Sequence, residues 1–132
     1  EPWRAEEVDA ALAAIRAPRF DLALAGIGTF EKAGRIQSLH VPAERSEALS
    51  RLQSKVETAL QRVGLEPERR RFAPHVTLAR TDKAETHKLV AFVQSHSLFR
   101  PPPVTVEHFT LFSSLLGKDA AHYVPEVEYE LA

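Results

Sequence analysis

The stretch RRRFAPHVTLARTDK, residues 69–83, carries the clearest structural and chemical pattern in the chain. Alternate side chains of a β-strand point to the same face of a sheet. A strand here therefore places His75 and Thr77 together on one side and Val76 and Leu78 on the other. The pattern predicts a half-buried strand that presents an imidazole and a hydroxyl on its outward face.

The neighbours of this triplet add the chemistry of anion binding. Pro74 fixes the backbone before His75, Arg80 lies just beyond the triplet, and Arg71 shares the parity of His75. Arginine binds phosphate through charge-assisted hydrogen bonds, threonine donates to an oxygen, and histidine transfers a proton near neutral pH. The sequence therefore predicts a phosphate site. A solvated polar face without a ligand is the alternative.

The three consecutive arginines at positions 69–71 leave two interpretations open. They can decorate a surface, or they can attract a nucleotide backbone locally. The chain as a whole does not predict nonspecific nucleic-acid binding, because its net charge is −1 and its pI is about 6.7.

The other histidines carry weaker patterns. His108-Phe109-Thr110 repeats the triplet without a following arginine, so we expect it to line the open face rather than to catalyse. We expect His40 to be half-buried packing. No two histidines have metal-ligand spacing with a carboxylate partner, so we expect no metal site. Three further histidines are predicted to be exposed: His87, His96 and His122.

Composition limits the class of protein. The 132 residues suit one domain, and a content of 44% hydrophobic and 27% charged residues is ordinary for a globular protein. The absence of cysteine excludes disulfides, thiol chemistry and cysteine-ligated zinc. No apolar run is long enough to cross a bilayer, and no signal-peptide pattern opens the chain. We therefore expect a cytoplasmic protein with no membrane association.

Hydrophobic periodicity predicts an α+β domain. Its helices cover one face of a largely antiparallel sheet, and the opposite face, with His75 and Thr77, stays open. Predicted helices span residues 4–16, 43–63 and about 82–97, the last beginning with a capping box at Asp82 and Glu85; predicted strands span residues 20–25, 36–41, 70–79, 104–112 and 123–131, and residues 26–30 form a loop.

The stretch FAPHVTLAR resembles the second signature of the 2H phosphoesterases, a superfamily named for two His-x-Thr/Ser motifs. Residues 74–80 reproduce the Pro-His-hydrophobic-Thr-Leu-Ala-Arg motif of its RNA 2′,3′-cyclic phosphodiesterases, also called 2′-5′ RNA ligases. The stretches LALAGIGTF, RVGLEPERRRF and FTLFSSLLGKDAAHY agree with that family in order. The resemblance therefore covers essentially the whole chain.

The resemblance implies a bilobal α+β fold, with antiparallel sheets, helices on the outer faces and a central cleft. It also implies metal-independent hydrolysis of an RNA 2′,3′-cyclic phosphate end to a 2′-phosphate, with 2′-5′ ligation and RNA processing as related activities. In this family pattern His75 is the proton acceptor, Thr77 is the phosphate-binding hydroxyl, and Arg80 is a phosphate-side arginine. No cofactor is implied. The expected partner is RNA with a cyclic phosphate end, or a cyclic nucleotide, bound by a monomer.

One departure from the family pattern concerns its first motif. No His-x-Thr triplet lies upstream of Phe20, and His40 does not fit the motif. We therefore expect residues 1–132 to form a single 2H phosphoesterase-like domain that lacks the N-terminal segment carrying the first motif. A non-catalytic binder of RNA ends or nucleotide phosphates, and a structural domain that meets a protein partner, are the alternatives.

Overall fold

A computed structural model describes residues 2–69, 71–81, 83–116 and 121–132, and the side chains within 4–69, 71–81, 83–113 and 123–132. The fold is α+β, with antiparallel pairing within its main sheets. In chain order the described elements are α1 (Pro2–Ala13), β1 (Phe20–Leu22), β2 (Gly28–Lys32), β3 (Arg35–Pro42), α2 (Glu47–Arg62), β4 (His75–Arg80), α3 (Thr86–Ser95), β5 (Val104–Val106), β6 (His108–Leu116) and β7 (Ala121–Glu130).

The chain divides into two compact units. Unit 1 comprises residues 1–20, 47–69 and 105–132, and unit 2 comprises residues 21–46 and 70–104. Each unit combines helix with antiparallel strands.

Unit 1 packs α1 against α2 and against β7, which pairs with β6. The tyrosine ring of Tyr129 stacks on Phe109 with 5.0 Å between ring centroids, and its hydroxyl donates to Asp9 Oδ1 at 2.7 Å. Burial, the Asp9 hydrogen bond and the Asp9 charge together raise the pKa of Tyr129 to about 12. Among the side chains of unit 1 that the structure describes, the buried apolar ones are Leu12, Leu52, Tyr129 and Leu131.

Unit 2 contains a three-stranded sheet in the order β2-β3-β4, with α3 packed against one face. The apolar stripe of α3 supplies Leu89, which is buried against Ile36 and Leu39 of β3. The opposite face of the sheet carries His40, because neighbouring residues of a strand point to opposite sides. Ile27, Ala84 and Val93 complete the packing on the α3 side.

Strand β2 lies partly within the segment predicted as a loop, and the prediction for residues 28–30 was therefore wrong. A two-residue connection, Ala33-Gly34, joins β2 to β3, with φ angles of 53° and 78°. Positive φ at both positions is typical of a type I′ turn, which matches the twist of a hairpin. Alanine rarely adopts positive φ, so the sequence lacks the usual Asn-Gly or Asp-Gly signal for this turn.

Other element boundaries differ from their predictions. The strand predicted over 104–112 is two strands, β5 and β6, and β4 begins at His75 rather than at position 70. Helix α3 begins at Thr86 with Glu85 as its N-cap and no side-chain cap bond, so Glu85 is not the third residue of a capping box; Asp82 lies outside the described residues. Within the described chain, no helix combines the length and apolarity that a bilayer crossing requires.

Candidate phosphate-binding site

Strand pairing places His75 and Thr77 on one face of the unit 2 sheet. His75 lies opposite Pro42, and Thr77 lies opposite His40 on the central strand β3. Directly opposed residues of an antiparallel pair point to the same face. His75, Thr77 and His40 therefore share the face of the sheet that α3 does not cover.

A β-bulge adds Arg80 to this face. In an unbroken strand, Arg80 would point with Val76 and Leu78, away from His75. The register instead skips Leu78: Thr77 faces His40, Ala79 faces Leu39 and Arg80 faces Ser38. Because Ser38 and His40 are two residues apart on β3, Arg80 shares their face. The extra residue thus turns the guanidinium towards the side of the sheet that carries the imidazole, as bulges near active sites often do.

All six residues of β4 are exposed. The prediction of a half-buried strand was therefore wrong: Val76 is 48% exposed and Leu78 is 50% exposed, since β4 forms the edge of its sheet. The strand is anchored at its end by Thr81, whose hydroxyl donates to the Ile36 carbonyl at 3.2 Å and whose amide donates to the Gln37 carbonyl at 2.8 Å. The backbone next to Arg80 is thereby fixed to β3.

The His75 imidazole has a defined tautomer. Its Nδ1 lies 2.6 Å from the Ala73 carbonyl oxygen. A carbonyl oxygen only accepts hydrogen bonds, so Nδ1 carries the hydrogen and donates it. In the neutral ring Nε2 then holds a lone pair, and the exposed imidazole is set up to accept a proton through that atom.

His40 lies in contact with His75, which the sequence interpretation missed. The ring centroids of His40 and His75 are 5.1 Å apart, and Phe30 contacts both rings, at 4.2 Å from His40 and 4.8 Å from His75. The predicted packing role of His40 is confirmed, but the side chain is buried, with 8% exposure, rather than half-buried. Burial first, and the positive charge of His75 second, lower the pKa of His40 below its usual value.

The remaining predicted residues do not belong to the strands of the β2-β3-β4 sheet. His108 belongs to unit 1, where it approaches Glu128 at 3.5 Å; it forms with Glu128 and Glu130 a group whose ligand atoms lie within 4.8 Å of one another, all three side chains being exposed. Arg71 precedes β4 and is exposed. The predicted exposure of His87 and His96 is confirmed, Arg69 is exposed, and Arg70 and the side chain of His122 lie outside the described residues.

Residues 2–118 match the 2′-5′ RNA ligase superfamily. The chain belongs to this superfamily, the 2H phosphoesterases. Two relatives of this 2H phosphoesterase chain bear the name RNA 2′,3′-cyclic phosphodiesterase. The one from Aeropyrum pernix is 32% identical over 130 residues, covering 97% of this chain and 74% of the relative. The one from Geobacillus stearothermophilus is 40% identical over 79 residues, covering 60% of this chain and 25% of the relative.

Solved structures confirm the 2H phosphoesterase fold. Escherichia coli LigT, in a crystal structure with 3′-AMP, matches with a TM-score of 0.72 and 22% identity, over 99% of this chain and 70% of LigT. A protein from Thermus thermophilus matches with a TM-score of 0.68 and 24% identity, over 93% of this chain and 68% of that protein. The resemblance stated from FAPHVTLAR is thereby confirmed at the level of family and fold.

Proposed function

We propose that this protein is an RNA 2′,3′-cyclic phosphodiesterase that hydrolyses a terminal 2′,3′-cyclic phosphate to a 2′-phosphate. The observation that carries the proposal is the β4 bulge, which gathers Arg80 with His75 and Thr77 on one exposed sheet face. The relatives from Aeropyrum pernix and Geobacillus stearothermophilus both bear that activity in their names, which supports the same substrate class here.

The site residues divide the work of the reaction. His75 Nε2 takes a proton from water, and the water oxygen forms a bond to phosphorus. The bond from phosphorus to the 3′ oxygen breaks, and that oxygen receives a proton to become a 3′-hydroxyl. The Thr77 hydroxyl and the Arg80 guanidinium hold the non-bridging oxygens, where negative charge is concentrated in the transition state.

The proton for the 3′ oxygen requires a second group on the other side of the phosphorus. We propose that it comes from the first His-x-Thr motif of the superfamily pattern, contributed by sequence outside the 132 residues. Within the chain, His108-Phe109-Thr110 is the other His-x-Thr triplet, but it lacks the following arginine and pairs with Glu128. We therefore do not assign the second proton transfer to His108.

The donor set favours direct catalysis by side chains over catalysis through a metal ion. Beside the buried His40, the exposed groups on the site face are an imidazole, a hydroxyl and a guanidinium. The hydroxyl and the guanidinium donate hydrogen bonds to phosphate oxygens, and the guanidinium has no lone pair to offer a cation. The substrate carries one negative charge, which one arginine can complement. We propose that the reaction proceeds without a metal or an organic cofactor.

The experiment that tests the proposal is product analysis by ³¹P NMR. The complete protein is incubated with 2′,3′-cyclic AMP and, separately, with an RNA oligonucleotide that ends in a cyclic phosphate. We expect a 2′-phosphate as the only product of both. A 3′-phosphate, or no product, would contradict the proposed hydrolysis.

Addition of RNA with a free 5′-hydroxyl tests ligation. If that hydroxyl attacks the phosphorus in place of water, the product contains a 2′-5′ linkage.

A non-catalytic binder of RNA ends or nucleotide phosphates is the second candidate function. It is favoured by the same exposed Thr77 and Arg80, which bind an anion whether or not a proton is transferred. Binding of 2′-AMP or 3′-AMP, measured by calorimetry, without turnover of the cyclic substrate would support the binder.

We further propose that the protein is a monomer in the cytoplasm. Light scattering tests the oligomeric state, and cell fractionation tests the location.

A further inference from the structure

Three aromatic rings form a cluster on the site face of unit 2. We define this ring cluster as Phe30, His40 and His75. Phe30 stacks on His40 with an interplanar angle of 27° and meets His75 edge-to-face at 72°. His40 meets His75 at 57° with 5.1 Å between centroids. The imidazole of His75 is thus held from the side by two rings that come from two different strands.

The ring of His40 occupies space that only a glycine at position 28 leaves open. Gly28 lies directly opposite His40 in the ladder between β2 and β3. A β-carbon at position 28 would lie 2.9 Å from His40 Cε1 and closer still to Nε2. Real β-carbons do not make contacts this short, so a side chain at position 28 would force the buried His40 ring to shift. Gly28 is therefore the residue that permits His40 to reach the ring cluster.

The contacts of His40 depend on its ring shape rather than on its nitrogen atoms. Its Nδ1 is buried and has no hydrogen-bond partner in the described part of the chain. Leaving a buried polar atom without a partner disfavours folding, so this nitrogen adds no hydrogen bond that a ring without nitrogen would lose. Burial also lowers the pKa of His40, so the ring is uncharged near neutral pH. An uncharged neighbour does not oppose the positive charge that His75 gains when it accepts a proton.

We propose that His40 is a positioning residue for His75, which acts by fixing the plane of the His75 imidazole through the ring cluster. The hydrogen bond to Ala73 holds one atom of that imidazole, about which the ring is still able to pivot. Contact with His40 and Phe30 removes the pivot and keeps Nε2 in one direction. This inference rests on the proposed function only in assigning the catalytic base to His75.

Three variants test this role: His40→Ala removes the ring, Gly28→Ala displaces it, and His40→Phe keeps a ring without nitrogen. We expect His40→Ala and Gly28→Ala to lower kcat roughly 10- to 100-fold, the effect of a small misplacement of a reacting group. KM should change little, because Thr77 and Arg80 are untouched. His40→Phe should keep kcat within a few-fold of the wild type. His87→Ala, at an exposed histidine of α3, is the matched control.

Two kinetic outcomes would overturn the proposal. If His40→Ala keeps the wild-type kcat, His40 does not position His75. If His40→Phe is folded but loses as much kcat as His40→Ala, a nitrogen of His40 acts on substrate or proton, and the ring-shape argument is wrong.

A second measurement does not depend on turnover. NOE spectra recorded without substrate report which ring protons of Phe30 lie close to the ring protons of His75. We expect strong NOEs between these two rings in the wild type and in His40→Phe, and weak or missing ones in His40→Ala, where the His75 ring pivots. Unchanged NOEs between these rings in His40→Ala overturn the positioning role. If every variant lacks turnover but the spectra behave as expected, the proposed reaction fails and the positioning role stands.

Discussion

Replacement of His75 by alanine removes the proposed general base. The substitution removes Nε2, the proposed proton acceptor, and leaves Thr77 and Arg80 in place. The loss of one general acid or base typically lowers the rate by roughly 10²–10⁴-fold. At about 1.36 kcal/mol per tenfold, this raises the barrier by about 2.7–5.4 kcal/mol. Because the proposed phosphate-binding groups remain, we expect the loss in kcat and only a small change in KM.

The same substitution should have little effect on folding. His75 is exposed on an edge strand, and its hydrogen bond to Ala73 is replaced by water when the ring is removed. The aromatic rings that contact the imidazole are those of Phe30 and His40. We expect the unfolding free energy to fall by about 1 kcal/mol or less, within the range of surface substitutions. Urea denaturation followed by circular dichroism measures this change.

Initial rates with 2′,3′-cyclic AMP, measured on folded protein of matched concentration, test the catalytic part. His108→Ala is the matched control, since it also removes an exposed histidine from a His-x-Thr triplet. We expect the control to stay within a few-fold of the wild type. Equal losses in the two variants, or a His75→Ala rate close to that of the wild type, would refute the assignment of the base.

Four further outcomes follow from the structure. Arg80→Ala should raise KM roughly 10- to 100-fold, the worth of a hydrogen bond to a charged group, whereas Arg71→Ala should leave KM nearly unchanged. EDTA should leave the rate unchanged; loss of activity that one added metal restores would contradict the metal-independent mechanism. Stability should fall as the pH drops below 6.5, because the unfolded chain takes up a proton that His40 resists in the fold, and His40→Phe should weaken this dependence in urea denaturation. Stability should also fall between pH 10 and about 12, where unfolded but not folded Tyr129 ionises, and Tyr129→Phe should abolish that decline.

The elements with strong periodicity were predicted well. The apolar stripe through Leu52 identified α2, and the alternating glutamates identified β7. The face shared by His75 and Thr77 followed from strand alternation alone. These features depend on residues close together in sequence, and a single sequence contains that information directly.

The features that complete the site depend on pairing between distant residues. The position of Arg80 requires a bulge, and nothing local to Leu78 indicates that the register skips it. The contact of His40 with His75 requires the register between β3 and β4. Strand β2 was not predicted because the turn that follows it, Ala33-Gly34, has no sequence signal for a hairpin: alanine rarely adopts positive φ. A search for glycine facing histidine across a hairpin could have suggested Gly28 and His40, once β2 was known.

A crystal structure of the complete protein with the product 2′-AMP bound would show directly whether His75, Thr77 and Arg80 form the phosphate site. We expect the phosphate to lie on the uncovered face of the unit 2 sheet, with oxygens at hydrogen-bond distance, about 2.6–3.2 Å, from His75 Nε2, Thr77 Oγ1 and the Arg80 guanidinium. A well-ordered phosphate that contacts none of these three groups, or that contacts His108 in their place, would contradict it.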